Sequence, residues 1–154
     1  MIGGVIMNEK AVAYVDGSFM TNIGYGSGVY LIYKDTVYEI TGMGDVERYM
    51  SMQNVSGEIL ATMLAIRKAI KLGCKEILIY HDYIGIGHWA NDTWRANKDE
   101  TKDYKQFIQD ARKKIEIHFE KVKAHSGNFG NVQADRLAAE TLNLCKTKGD
   151  KTDL

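Results

Sequence analysis

Between residues 56 and 82 the chain passes without a break from an amphipathic helix into a short apolar strand, and this junction confines it to folds with a parallel pair of strands. Ile59, Met63, Ile66 and Ile70 recur at helical spacing. Gly73, just past Leu72, supplies the stop. EILIYHD at 76–82 follows directly, a continuous apolar run of the kind a parallel strand buried on both faces presents. A helix joining two parallel strands crosses over with a right hand, so this strand is expected beside an earlier one in a βαβ unit.

Candidates for that earlier sheet precede the helix. AVAYVDGSF (11–19) is apolar and β-branched and ends in a turn signal, which predicts a strand whose last member is Asp16. The Gly-rich GYGSG of 24–28 reads as a hairpin or bulge. VYLIY (29–33) and TVYEITG (36–42) then flank Lys34 and Asp35 at the spacing of a two-residue hairpin. Three antiparallel strands are therefore expected first. Downstream, 83–96 reads as a short helix and turn, 101–115 as a surface helix, 117–125 as an alternating final strand and 132–146 as a helix carrying Val132, Leu137, Ala138, Leu142 and Cys145 on its apolar face. This order predicts an α/β fold: a five-stranded mixed sheet, three strands antiparallel and the rest parallel, with helices on both faces. No repeat or linker divides it, so one domain is expected over 10–146, after a short leader (1–9) and before a polar tail (147–154) that frays.

A chain of 154 residues with 45% hydrophobic content can build such a core unaided. Cys74 and Cys145 form no CxxC pair or disulfide framework and read as reduced thiols, which favours a cytoplasmic address. Nothing resembles a signal peptide or membrane span, so a soluble protein is expected. The formal charge of zero, 20 Lys+Arg against 20 Asp+Glu, first argues against a nucleic-acid partner. It ceases to do so if four of the acids hold two divalent cations, because the remaining 16 acids leave the rest of the surface at +4.

Four acids stand where this topology lets them converge: Asp16 late in the first strand, Glu58 at the start of the long helix, Asp82 closing the parallel strand, and Asp135 in the first turn of the last helix. Asp16 and Asp82 share the carboxyl edge of the sheet, where open α/β sheets place their sites. Crowded carboxylates repel one another unless a cation intervenes. Oxygen ligands without a Cys or His cluster select Mg²⁺ or Mn²⁺ over zinc. Two such ions suit an in-line phosphodiester displacement. Each acid alone has a structural reading, as turn former, strand end or answer to a helix dipole. Together, beside one sheet edge, they favour a site.

VDGS with Asp16, NVSGE with Glu58, YHD with Asp82, and KAHSGNFGNVQADRLA with His125 and Asp135 resemble the successive motifs of type I ribonuclease H over about residues 10–145. The closing segment is the most specific. The form most resembles the Gram-positive variant, without the hybrid-binding module that this variant can carry ahead of the catalytic domain. The resemblance implies an endonuclease that hydrolyses the RNA strand of RNA–DNA hybrids with two Mg²⁺ ions, for which Mn²⁺ can substitute, leaving 5′-phosphate and 3′-hydroxyl ends. It implies Asp16, Glu58, Asp82 and Asp135 as metal ligands, and His125 as the group that protonates the departing 3′ oxygen or eases product release. It further implies that Asn22, Asn54 and main-chain groups at Gly17 and Ser18 read sugars, with Gly57 allowing close approach to Glu58. Asn54 reads equally well as a helix cap.

Two departures from the family pattern stand out. Ile84 occupies a position where relatives often carry a polar amide, and residues 91–103 are shorter and less basic than the protruding handle of the proteobacterial form. These imply weak hybrid binding with a shallow salt dependence, with Trp94, Arg95 and Lys98 as a reduced substitute for the handle. Trp89 and Trp94 read equally as packing residues. GYGSG lacks the pattern of a phosphate-cradling loop, and Ser126 lacks a nucleophile elbow. His81 reads as a satisfied core histidine, and the RKK run at 112–114 as a solvated helix face. Other polynucleotidyl transferases, such as integrases and junction resolvases, use the same sheet, but the interval from Asp82 to Asp135 and the AHSGN loop favour ribonuclease H. A silent binding module would keep a carboxylate cluster that repels phosphate for no use. A monomer is expected.

Overall fold

The structure, a computed structural model, describes residues 9–45, 51–123 and 128–152, with side chains up to Cys145. Five strands form one sheet: β1 (Lys10–Met20), β2 (Gly24–Tyr33), β3 (Thr36–Gly44), β4 (Glu76–His81) and β5 (Glu116–Lys121), in the order β3-β2-β1-β4-β5. β1 pairs antiparallel with β2 and β2 with β3, while β4 is parallel to both β1 and β5. The helices are α1 (Asn54–Lys71), α2 (Gly85–Ala90), α3 (Asp99–Ala111) and α4 (Phe129–Thr152). The expected α/β mixed sheet is therefore the fold observed.

Side-chain alternation sorts the two faces. Ala11, Ala13 and Val15 of β1, Val29 and Leu31 of β2, and Ile77 and Ile79 of β4 pack with Ile59 and Ile66 of α1 and with Tyr104 and Ile108 of α3, all buried in one cluster. Tyr14 faces the other way, stacked on Tyr80 with ring centroids 4.9 Å apart, and α4 lies over that face along β1, β2 and β3. β4 is not buried equally on its two sides: Leu78 and Tyr80 stay half-exposed, because the helix on their face covers the first three strands instead.

Several local expectations are corrected. β1 does not end at Asp16 but runs on through Gly17 and Ser18 to Met20, pairing with Gly24–Gly28. GYGSG is thus neither hairpin nor bulge but the buried first half of β2; the turn is at 21–23. The physical reason is close helix packing. A side chain at Gly28 would meet the Ala134 carbonyl at 2.1 Å, one at Gly26 the Ala138 carbonyl at 2.5 Å, and one at Gly17 the Asn54 carbonyl at 2.1 Å. The glycines therefore let the helices reach the sheet rather than bend it. The Lys34–Asp35 hairpin is as expected, with both residues at positive φ (50° and 64°).

β5 ends at Lys121, earlier than the sequence suggests, and α4 begins at Phe129 and runs to Thr152, through much of the expected tail. Val132 is 49% exposed, so it does not belong to the core face that Ala134, Leu137, Ala138 and Leu142 form. The RKK run is exposed as expected, but Arg112 also donates to the Ala90 carbonyl, to Asn91 Oδ1 and to the Ile117 carbonyl, tying the end of α2 to β5. Cys74 and Cys145 are free thiols, and among the described residues no helix is long and apolar enough to cross a membrane. The leader at 1–8 lies outside the described residues.

Candidate active site

Strand register brings the first two acids together. Tyr14 pairs with Tyr80 across the parallel β1–β4 ladder, and Asp16 and Asp82 each stand two residues further on, so both point to the face that α4 covers. α4 supplies the third: Asp16, Asp82 and Asp135 line one cavity of about 220 Å³ together with Gly17, Asn54, Asn131 and Val132. Asp135 sits in the second turn of α4, not the first, and α1 likewise carries no acid in its first turn. Neither Glu58 nor Asp135 can therefore be explained as a first-turn answer to a helix dipole.

Glu58 arrives from the opposite face. It is 2% exposed, and its Oε2 accepts the Asp82 amide at 2.7 Å while Oε1 accepts the Tyr83 amide at 3.2 Å. The carboxylate thus lies behind Asp82 and binds the chain where β4 ends. Gly57 makes this approach possible, because a side chain there would strike the Gly26 carbonyl at 2.2 Å and Gly17 Cα at 2.9 Å. Ser27 Oγ donates to the Gly57 carbonyl at 2.6 Å and holds the contact.

Both inner carboxyls are disturbed in the way such crowding demands. Burial is the largest cause for Asp16, pushing it up to about 7 against the opposing Gly17 amide, which donates to Oδ1 at 2.9 Å. The negative charges of Asp135 and Asp82, and a hydrogen bond to Asp135, raise it further. Glu58 is pushed up to about 8, first by burial and then by Asp16 and Asp82, although the Asp82 and Tyr83 amides pull it down. Carboxyls this reluctant to ionise suit a bound cation, whose charge would compensate burial and repulsion together. Among the described residues the cavity lining offers carboxylate, amide and main-chain oxygens and no imidazole or thiol, the donor set of a hard divalent ion.

These shifts predict a pH dependence. Without metal, the folded chain keeps a proton on Asp16 up to about pH 7 and on Glu58 up to about pH 8, whereas the unfolded chain releases both near pH 4. The folded state therefore binds more protons in that window, and stability falls as pH rises through it. His81 acts in the opposite sense at the acidic end, since burial lowers its pKa and its protonation disfavours the fold. Thermal unfolding in EDTA is expected to drop by roughly 8–15 °C between pH 6 and 8.5, about 4 kcal/mol for a domain of this size. Asp16→Asn should remove about half of that drop; an unchanged slope in the variant would show that Asp16 is not the titrating group.

The remaining predicted residues divide. Gly17 and Asn54 line the cavity, and Ser18 lies against Gly57. Asn22 does not join them: it is exposed in the turn between β1 and β2, at φ 69°. His125 lies outside the described residues. Sequence reasoning missed Asn131, one helical turn before Asp135 and so on the same face of α4; starting that helix at 132 left it in a loop. His81 is a core residue as expected, 3% exposed with Nδ1 2.9 Å from the Tyr83 carbonyl. Glu76, Glu116 and His118 also bring ligand atoms within 4.8 Å of one another, but at the far end of β4 and β5.

The RNase H family model matches residues 8–143, spanning all four acids. The chain belongs to the ribonuclease H family. It is 32% identical over 149 residues to the Ribonuclease H of Francisella tularensis subsp. novicida (strain U112), covering 87% of this chain and 91% of that one. Among solved structures, RNase H1 from the halophilic archaeon Halobacterium salinarum NRC-1 superposes with a TM-score of 0.73 at 20% identity, over 87% of this chain and 98% of that one. LC11-RNase H1, solved in complex with an RNA/DNA hybrid, gives 0.72 at 17% identity, over 88% and 98%. At such identities these two speak for the fold; the family match and the curated relative make this chain a ribonuclease H.

Proposed function

We propose that this ribonuclease H hydrolyses the RNA strand of RNA–DNA hybrids at the Asp16–Asp82–Asp135 cavity, leaving 5′-phosphate and 3′-hydroxyl ends. The observation that carries this reading is the convergence of three aspartates from β1, β4 and α4 in one cavity, with Glu58 behind them. Asp16, Glu58, Asp82 and Asp135 would hold two Mg²⁺ ions, or Mn²⁺ in their place. When bound, such ions supply an activated water and stabilise charge on the leaving oxygen. The protein's own groups orient and select. Asn54 and the Gly17 main chain border the acids and can hydrogen-bond a ribose 2′-hydroxyl, the group that separates RNA from DNA. His125, by its place in the family motif, would protonate the departing 3′ oxygen or ease product release. The hybrid-bound LC11-RNase H1 shares the fold and supports the same substrate here.

Backbone contacts beyond the cavity would come from the segment after α2. Trp94 is 37% exposed and stacks on His88 at 4.8 Å, while Trp89 is buried and serves packing. Arg95, Lys102 and Lys105 line a neighbouring groove that can follow a phosphate strand. The catalytic domain would span 10–146 and act as a cytoplasmic monomer, in keeping with two free thiols.

The test is cleavage of labelled hybrid, double-stranded RNA and double-stranded DNA in Mg²⁺, Mn²⁺ or EDTA. Only hybrid should be cut, only on its RNA strand and only with metal, leaving a 5′-phosphate on the downstream fragment and a 3′-hydroxyl on the upstream one. Cutting in EDTA, or equal cutting of double-stranded DNA, would overturn the reading.

A further inference from the structure

Glu100, in the first turn of α3, has no part in the chemistry described above, yet it is 4% exposed. An acid that merely answered the helix dipole would stay in water, because burying a carboxyl is unfavourable unless a partner compensates. Its partner lies 44 residues away: Ser56 Oγ, itself fully buried, donates to Glu100 Oε1 at 2.7 Å. Ser56 stands in the first turn of α1, between Asn54 and Glu58.

Two further features give this bond a purpose. The start of α1 is not held by a side-chain cap, and Gln53 before it takes φ 53°, a left-handed conformation that persists only where the surroundings impose it. One turn beyond Glu100 on the same face of α3, buried Tyr104 donates its hydroxyl to the Ile86 carbonyl of α2 at 2.8 Å. α2 begins three residues after Asp82. α3 is thus fastened at Glu100 to the segment that carries Glu58 and at Tyr104 to the segment that follows Asp82. The α3 N-terminus is itself firm, since Thr101 Oγ1 exchanges hydrogen bonds with the Lys98 main chain at 3.0 and 3.2 Å.

We propose that Glu100 is a positioning residue: through Ser56 it fixes the first turn of α1 and so sets Glu58 against the Asp82 and Tyr83 amides. The proposal rests on Glu58 belonging to the active site. Glu100 touches neither substrate nor ion. What matters is the acceptor oxygen rather than the charge, so glutamine should serve in its place and alanine should not.

Full-length Glu100→Ala, Glu100→Gln, Ser56→Ala and the Ser56→Ala/Glu100→Ala double variant are compared by two readouts. In hybrid cleavage, Glu100→Ala should lower kcat about tenfold or more, as a displaced catalytic group does. KM for hybrid should stay within about twofold, because no substrate contact is removed. Glu100→Gln should keep kcat within about threefold, Ser56→Ala should match Glu100→Ala, and the double variant should fall no further than the worse single one. In ¹H–¹⁵N spectra without substrate or metal, the Asp82 and Tyr83 amide resonances should move in Glu100→Ala and Ser56→Ala and stay in place in Glu100→Gln. Folded Glu100→Ala and Ser56→Ala with parental kcat and unmoved amides would overturn the proposal, as would a glutamine variant as impaired as the alanine one. If Glu100→Ala fails to fold, Ser56→Ala decides by the same criteria. A parent chain that cuts no hybrid would instead sink the functional reading, and the amide resonances would still judge the brace.

Discussion

Asp82→Asn should reduce hybrid cleavage at saturating Mg²⁺ by at least about a thousandfold while the protein remains folded. The loss corresponds to roughly 4 kcal/mol of transition-state stabilisation, within the several kcal/mol that an ion clamp on a transferring phosphate supplies. The fold should survive for two reasons. The replacement has the same shape, and the hydrogen bond that ties this position to Glu58 comes from the Asp82 main chain, which the substitution leaves intact. One negative charge also leaves a cluster in which Asp82 raises the pKa of both Asp16 and Glu58, so the metal-free variant should unfold at or above the parental temperature. Single-turnover cleavage beside a thermal melt checks both halves. A loss under tenfold would remove Asp82 from the machinery, and a large drop in the melt would make its role structural.

Gly17→Ala should be the most damaging single methyl group in the sheet. Its Cβ would stand 2.1 Å from the Asn54 carbonyl oxygen and 2.3 Å from the Glu58 nitrogen, both main-chain atoms that no rotamer change can move. α1 would have to withdraw from β1, which loosens the bond between Ser27 Oγ and the Gly57 carbonyl and carries Glu58 away from Asp82 and Tyr83. Destabilisation of about 3 kcal/mol or more follows, a fall of roughly 6–12 °C, and cleavage should decline with it. Gly73→Ala provides the contrast: nothing lies within 4 Å of its added Cβ, and only the positive φ of 82° resists, so about 1 kcal/mol is expected. Equal melts for the two variants would show that close packing at Gly17 is not what seats α1.

The scaffold of the site was legible in the chain because it depends on periodicity. Helical spacing through Ile59 and Ile66, followed by EILIYHD, implied the crossover that sets β4 beside β1, and that register puts Asp16 next to Asp82. What eluded the sequence was proximity between elements. GYGSG looks like a turn because glycine is read by its conformational freedom, whereas Gly26 and Gly28 are needed for the space they leave to α4. Asn131 was hidden by a helix that starts three residues earlier than its apolar pattern shows, and Asn22, included by family resemblance, lies exposed in the turn between β1 and β2. The main-chain donors to Glu58 and the reach of Glu100 to Ser56 carry no local signature, since each joins segments more than twenty residues apart.

Paramagnetic Mn²⁺, added in small substoichiometric amounts to ¹⁵N-labelled protein, tests the cation cage most directly, because it broadens the amides nearest the ion whether or not catalysis occurs. Broadening should begin at Gly17, Asn54, Tyr83 and the residues around Asp135, and Asp16→Asn should abolish it at the same ratio. Broadening centred instead on Glu76, Glu116 and His118, or spread evenly over the surface, would contradict the claim that these carboxylates form one metal-binding pocket.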